Sequence, residues 1–421
     1  MPTTTDFSAL AAELDARDPL AAYRSEFAPI GPDVVAYLDG NSLGRPPARL
    51  PAALSDFVTR PWGDRLIRGW TDDEPGTTPW MDWPTALGDR LGTACLGAAP
   101  GQTVIADSTS VLLYKLARAA LSVRAPDRDE IVVDADNFPT DRYLLEGIAA
   151  ELDLRLRWVP TDPAAGLTPE LVAAAVGPRT ALLVASHVAY RSGYLADLAV
   201  VTELVHAAGG LVLWDCSHSV GSVPIELDPA GADFAVGCSY KYLNAGPGAP
   251  AFGYVAARHQ AALRQPIQGW MGHAEPFAMG PGYRPAAGIR GYLTGTPPIL
   301  AMVPLGVALE VVERAGIDAV RAKSLVLTDL AISLADTWLA PYGVGLASPR
   351  DPARRGGHVT LRRADFAEVN DELWRRGVVG DFRAPDGIRL GLSPLTTSFA
   401  ELVVGVRVLA EVLVERSGPP L

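Results

Sequence analysis

Up to about residue 295, short apolar runs alternate with segments of helical spacing. Residues 103–106 read as a strand and 111–122 as a helix. Residues 131–133 and 181–185 are strands, the second ending in Ser186-His187. Apolar positions over 198–208 keep helical spacing and stop at Gly209-Gly210, a C-cap signal. Residues 211–214 are continuously apolar up to Asp215, and 234–239 form a similar run up to Tyr240-Lys241. Strands apolar on both faces and separated by helices predict a mostly parallel α/β sheet covered on both sides. After about residue 295 the texture changes. Residues 300–315 and 324–339 read as long helices, with Gly316 stopping the first. Residues 358–362 and 388–392 read as strands, and 398–415 as a last helix. The expected organisation is an N-terminal segment (1–60) that joins the small domain and a dimer contact, a large domain (61–295), and a small C-terminal α/β domain (296–421). The Pro- and Gly-rich stretch 266–298 reads as an ordered loop, long enough to suggest function.

A chain of 421 residues is too long for one simple core, and 48% hydrophobic with 20% charged residues is an ordinary globular balance. The net charge of −12, with no basic stretch, excludes a phosphate-backbone partner such as nucleic acid. Three cysteines, Cys95, Cys216 and Cys238, have no CxxC spacing and suit a reducing cytosol, so a cytoplasmic protein is expected. The first twenty residues lack the basic start and apolar run of a signal peptide, and no apolar run is long enough for a membrane span. Six scattered histidines show no metal-ligand spacing.

Lysine is scarce: only Lys115, Lys241 and Lys323 occur. Lysine can lose its proton when buried and attack a carbonyl, which arginine does not do. Lys115 and Lys323 lie on helices and read as solvated. Lys241, between Tyr240 and Tyr242 at a strand end and before Gly246-Pro247-Gly248, reads as partly buried. In an open parallel sheet, ligands sit at the carboxyl ends of strands. Four such ends carry Asp107-Ser108-Thr109-Ser110, Ser186-His187, Asp215-Cys216-Ser217-His218 and Tyr240-Lys241. The first is either a helix N-cap or an anion site in which Thr109 and Ser110 add hydroxyls. Asp215, after an apolar strand, is either a structural cap or the partner of a protonated ring nitrogen. No nucleophile elbow accompanies the Asp-x-Ser-His stretch, so a hydrolase triad is rejected. A phosphate cradle, then an acidic strand end, then a lysine is the order that a fold-type-I pyridoxal-phosphate enzyme needs.

The stretch WDCSHSVGSVPIELDPAGADFAVGCSYKYLNAGPGAP (214–250) resembles the core of the kynureninases. So do YLDGNSLGRPP (37–47), DNFPTD (136–141), GWMGH (269–273), TGTPPIL (294–300) and GIRLGLSPL (387–395). The resemblance covers nearly the whole chain and implies a homodimeric enzyme of tryptophan catabolism. Its reaction would be hydrolysis of L-kynurenine to anthranilate and L-alanine. It further implies that Lys241 carries pyridoxal phosphate as a Schiff base, that Asp215 pairs with the pyridine nitrogen, and that Thr109 and Ser110 hold the phosphate. Phe138 would stack on the ring beside Thr140 and Asp141, with Ser186 and His218 completing the cofactor shell. Tyr240 would touch the phosphate and donate a proton during C–C cleavage. Trp270 and Thr296 resemble positions that reach the cofactor across a dimer interface, and Arg389 one that clamps the substrate carboxylate. His187 and His273 read as structural.

Two departures bear on the substrate. Some kynureninases carry a histidine shortly before a Trp-Pro segment, whereas GWTDDEPGTTPWMDWP (69–84) has none, and residue 296 is Thr where others have Asn. Unsubstituted kynurenine is therefore the expected preference over its 3-hydroxy form. The alternative is another enzyme of the cofactor class, a cysteine desulfurase or a class V aminotransferase. A desulfurase needs a mobile thiolate.

Overall fold

Seven strands build the central sheet: β1 (Thr103–Ala106), β2 (Glu130–Asp134), β3 (Arg155–Val159), β4 (Thr180–Ser186), β5 (Leu211–Asp215), β6 (Phe234–Gly237) and β7 (Ala251–Val255). The computed structural model describes residues 6–72 and 74–417. Residues 1–5 and 418–421, at the ends of the two expected terminal regions, and Asp73, in the histidine-free stretch, lie outside the described residues. The strand order is β1-β7-β6-β5-β4-β2-β3. β7 runs antiparallel to both its neighbours, and the other pairs are parallel.

Alternation divides each central strand between two cores. Val133, Val184, Leu213 and Val236 pack with the helices α1 (Thr109–Leu121) and α2 (Pro139–Leu152). Val132, Leu183, Val212, Trp214 and Ala235 pack on the other face, under α3 (Leu198–Ala207). This is why these strands read as continuous apolar runs. Two strands lack that signal. β3 is an edge strand whose exposed Arg155 and Arg157 break the run, a polar edge that discourages pairing with other chains. β7, AFGYV, has a glycine at its centre.

The helix α4 (Ile299–Ala315) gives Ile299, Met302, Leu305 and Leu309 to the core on the α3 face of the large sheet. A second core begins with Leu327 on α5 (Ile317–Leu334). It is shared by a four-stranded antiparallel sheet made of β8 (Gly345–Leu346), β9 (His358–Arg362), β10 (Asp381–Arg383) and β11 (Gly387–Gly391), in the order β10-β11-β9-β8. The helix α6 (Phe366–Arg375) and the last helix, α7 (Phe399–Ser417), cover it. Phe7, Ala11, Ala36 and Leu38 join this core, so the N-terminal segment packs with the C-terminal one. Gly316, at φ +77°, breaks α4 from α5.

The N-terminal segment then crosses to the turn that follows β6. The Gly44 N–H donates to the Tyr240 carbonyl at 2.8 Å. A Cβ on Gly44 would stand 2.3 Å from the Lys241 carbonyl, so only glycine allows the segment to lie on the Lys241 turn. No helix among the described residues is long and apolar enough to cross a membrane.

Candidate active site

Lys241 follows β6 and is 9% exposed. Its amine lies 2.9 Å from Nε2 of His218, which is buried at the end of β5. Burial, and then the Lys241 charge, hold the imidazole well below its ordinary pKa, so His218 is neutral. The same amine stands 5.9 Å from the centre of the Phe138 ring and 6.0 Å from that of Tyr240. Burial raises the Tyr240 phenol above its usual range, with the Cys238 thiol adding to the effect, so it stays protonated.

Asp215 ends β5 beside Ser186 on β4 and accepts the Ser217 N–H at 2.8 Å. Asp141, in the first turn of α2, is 3% exposed, and its Oδ2 has no hydrogen-bond partner. Its carboxyl is raised well above the ordinary value, first by burial and then by the Asp215 charge, against the lowering effect of Lys241. Thr140 is half-buried on the same turn. Phe138, at the N-cap of α2, is 37% exposed and meets Tyr190 edge-on at 5.4 Å. Asn137 joins these pieces: its Oδ1 accepts from the Ser186 hydroxyl at 2.7 Å and from the Phe138 N–H at 2.8 Å. The DNFPTD motif contained Asn137, but only the fold shows it bridging two strand ends.

Thr109 and Ser110 open α1, with Ser108 as N-cap; the Ser108 hydroxyl accepts the Val111 N–H at 3.4 Å. Asp107 before them has φ +46°, a left-handed conformation unusual for a side-chain-bearing residue. A cavity of about 460 Å³ lined by Asp107, Ser108, Tyr240, Thr294 and Thr296 opens over this turn. Thr296 also lines a second cleft, with Trp70, Trp270 and Phe277. Within one chain, Trp270 therefore stands with Thr296 rather than with Lys241.

Arg389 is fully buried on β11, directly across from Asp381 on β10 and Thr360 on β9. Its Nε donates to Asp381 at 2.6 Å, Nη1 to the Tyr190 carbonyl at 2.7 Å, and Nη2 to the Ser42 hydroxyl at 2.9 Å. Burial, and then the Asp381 charge, raise the nearby Asp39 carboxyl to about 6. The motifs 37–47 and 387–395 thus meet at one guanidinium, with Asp381 as its carboxylate partner.

Two readings from the sequence are corrected. Lys115 is fully buried and Lys323 is 4% exposed; neither is solvated. Lys115 points from α1 to Asp107, and Lys323 reaches Asp18 at 2.8 Å. Nearby arginines suggested a wet helix face, but those reach the surface elsewhere, as Arg118 does to Glu151. His187 is buried against Trp214, its pKa lowered to about 4, and serves the core. His273 pairs with its own loop at Glu275. All three cysteines are buried with their thiols pushed up, Cys95 to about 12, so none is the mobile thiolate of a desulfurase. No group of metal-ligating residues occurs among the described residues.

Comparison with known proteins places the chain in a family. A kynureninase of Pseudomonas fluorescens is 42% identical over 405 residues, covering 95% of this chain and 94% of that one. A kynureninase of Burkholderia pseudomallei (strain 1106a) is 42% identical over 408 residues, with the same coverage. The chain belongs to the kynureninase family. The family model "Kynureninase C-terminal domain" matches residues 320–409. Among solved structures, cysteine desulfurases of Thermococcus onnurineus NA1 and Escherichia coli superpose with a TM-score of 0.77 each, at 16% and 17% identity. Each covers 94% of this chain and 98% of its own. That likeness shows the fold, the fold-type-I arrangement expected from the sequence.

The residues of this kynureninase relative fit pyridoxal phosphate. Two buried carboxylates that repel each other, one with an unpartnered oxygen, are suited to the protonated ring nitrogen that such a cofactor presents. The buried amine and the helix N-terminus with its hydroxyls would suit its aldehyde and its phosphate.

The Asp141 shift has a consequence for stability in the cofactor-free protein. Its folded pKa lies above the unfolded value of about 3.9, so ionising it opposes folding. The stability is fully present below the unfolded value and is lost as pH rises toward the raised one. Asp141→Asn is expected to remove this loss, so that its urea midpoint declines less between pH 5 and pH 8 than the wild type's. Superimposable pH profiles for the two proteins would contradict the assignment.

Proposed function

We propose that this chain is a pyridoxal-phosphate-dependent kynureninase: it hydrolyses L-kynurenine to anthranilate and L-alanine, prefers the unsubstituted ring to the 3-hydroxy form, and works as a cytoplasmic homodimer. The observation that carries the reading is the buried Lys241 amine beside neutral His218 and the Asp141–Asp215 pair, in a chain of this family. Thr109 and Ser110, at the N-terminus of α1, and Tyr240 would hold the phosphate. Asp215, with Asp141 beside it, would take the protonated ring nitrogen. Phe138, Thr140, Ser186 and His218 would complete the shell. The bound cofactor draws electrons from the substrate α-carbon and so weakens the bonds around it.

The chain's own residues then direct the reaction. Arg389 takes the α-carboxylate, using the guanidinium that Asp381 and the Tyr190 carbonyl hold in place. Lys241, oriented by His218, removes the Cα proton. Water adds to the γ-carbonyl carbon. The Cβ–Cγ bond then breaks with its electrons going to Cβ, which takes a proton from Tyr240; Lys241 returns the proton it took to Cα, and the proton released by the added water restores the Tyr240 phenol. The water oxygen remains on Cγ as part of the anthranilate carboxylate, and L-alanine leaves.

The dimer reading rests on Trp270 lining a second cleft, one that shares Thr296 with the cavity over the Asp107–Ser110 turn but has neither Tyr240 nor Lys241 in its lining. In that cleft Ile67 and Phe277 are 77% and 57% exposed, and Met279, which lines a neighbouring cleft with Trp270, is 76% exposed, apolar surface suited to a second copy. Light scattering should give twice the chain mass of 44.4 kDa; a stable, active monomer would defeat this part of the proposal. Lys241→Ala should fold with the wild-type circular dichroism spectrum yet release no fluorescent anthranilate. Turnover at the wild-type rate by that variant would remove lysine from the mechanism.

A further inference from the structure

Lys115 has no role in the chemistry above, yet its side chain is completely buried, and its ammonium is held by two groups from distant parts of the chain. Nζ donates to Asp107 Oδ2 at 2.9 Å and to Thr294 Oγ1 at 2.7 Å. Burying an ion pair contributes little net stability by itself, and an apolar replacement often serves as well. A buried lysine at this place therefore asks for another reason.

Both partners belong to pieces of the site. Asp107 is the left-handed residue that turns β1 into the helix bearing Thr109 and Ser110. Its carbonyl accepts the Ala251 N–H at 3.1 Å, so the sheet pins its backbone while Lys115 pins its side chain. Such a conformation persists only where its surroundings fix it. Thr294 begins the turn that carries Thr296. Its carbonyl accepts the Met271 N–H at 3.1 Å. Gly269 packs so closely that a Cβ there would lie 2.2 Å from that same oxygen. The order of contact is thus the Thr109 turn, Lys115, the Thr294–Thr296 turn, and the Gly269–Met271 turn with Trp270.

We propose that Lys115 is a positioning residue that fastens the anion-cradling turn 107–110 to the 294–296 turn, so that one buried ammonium sets both cofactor affinity and the placing of Thr296 and Trp270. The inference rests on the reading above that the cofactor phosphate sits at Thr109 and Ser110. Without the ammonium, the Asp107 turn loses its brace and its carboxylate is left unpaired near the phosphate, so both geometry and charge disfavour binding. The Thr294–Thr296 turn is released at the same time.

The test is a titration of the cofactor-free protein with pyridoxal phosphate, followed by absorbance, with thermal unfolding measured in parallel. Lys115→Met should bind the cofactor more weakly by on the order of tenfold, the usual scale for losing a residue that orients a ligand-holding group. Thr294→Val should weaken binding in the same direction, and Thr294→Ser should restore it. If Lys115→Met does not fold, Lys115→Met with Asp107→Asn removes both charges and supplies the measurement; its affinity should stay low. Wild-type affinity in the folded double variant would overturn the positioning role. Thr109→Val with Ser110→Ala separates this from the parent reading. If that variant binds normally, the phosphate is not at α1 and the proposed site falls. If it binds weakly while the Lys115 and Asp107 double variant binds normally, only the role of Lys115 falls.

Discussion

Two carboxylates, Asp141 and Asp215, are held out of water beside one amine, and the rest of the architecture serves to keep them there. Left alone, like charges in a low-dielectric interior drive one of the pair to hold its proton. A cationic ring nitrogen removes that conflict. The parallel sheet is what makes the arrangement possible, because the ends of neighbouring strands and the first turn of α2 converge at one edge. Neutral His218 completes it by giving the Lys241 amine a fixed direction without adding charge.

The site is assembled from parts far apart in the chain. The seven-stranded sheet and its helices place the amine, the carboxylates and the Thr109 turn. The four-stranded sheet places Arg389, with Asp381 opposite by strand register. The N-terminal segment ties them together: Gly44 lies on the Lys241 turn, while Ser42 accepts from Arg389. Because the guanidinium is already hydrogen-bonded on three sides, its position is set by the protein's own groups.

Much of the fold was legible in the sequence. Strands β5 and β6 are buried on both faces and show as unbroken apolar runs, and the polar residues just after them mark the site. The edge strand β3 was not legible, because its exposed arginines obscure the run, and in β7 the central Gly253 interrupts the apolar run. Lysine scarcity drew attention to Lys241 but was not followed through for Lys115 and Lys323. Helix sequence near arginines reads as solvated. Asp107 lies only eight residues before Lys115, but nothing local reveals that Thr294 closes over that amine, or that Asp18 waits across the fold for Lys323. Asn137 was visible only as part of a motif. Its work, joining Ser186 to the Phe138 backbone, depends on two strand ends meeting.

The central claim is that the chain cleaves the Cβ–Cγ bond of L-kynurenine by adding water to the γ-carbonyl. The most direct test is turnover in ¹⁸O-labelled water, with both products examined by mass spectrometry. The account predicts anthranilate carrying a solvent oxygen in its carboxyl group, formed together with an equal amount of L-alanine that carries none. Absence of both products from a protein with pyridoxal phosphate visibly bound, or anthranilate without the solvent oxygen, would contradict it.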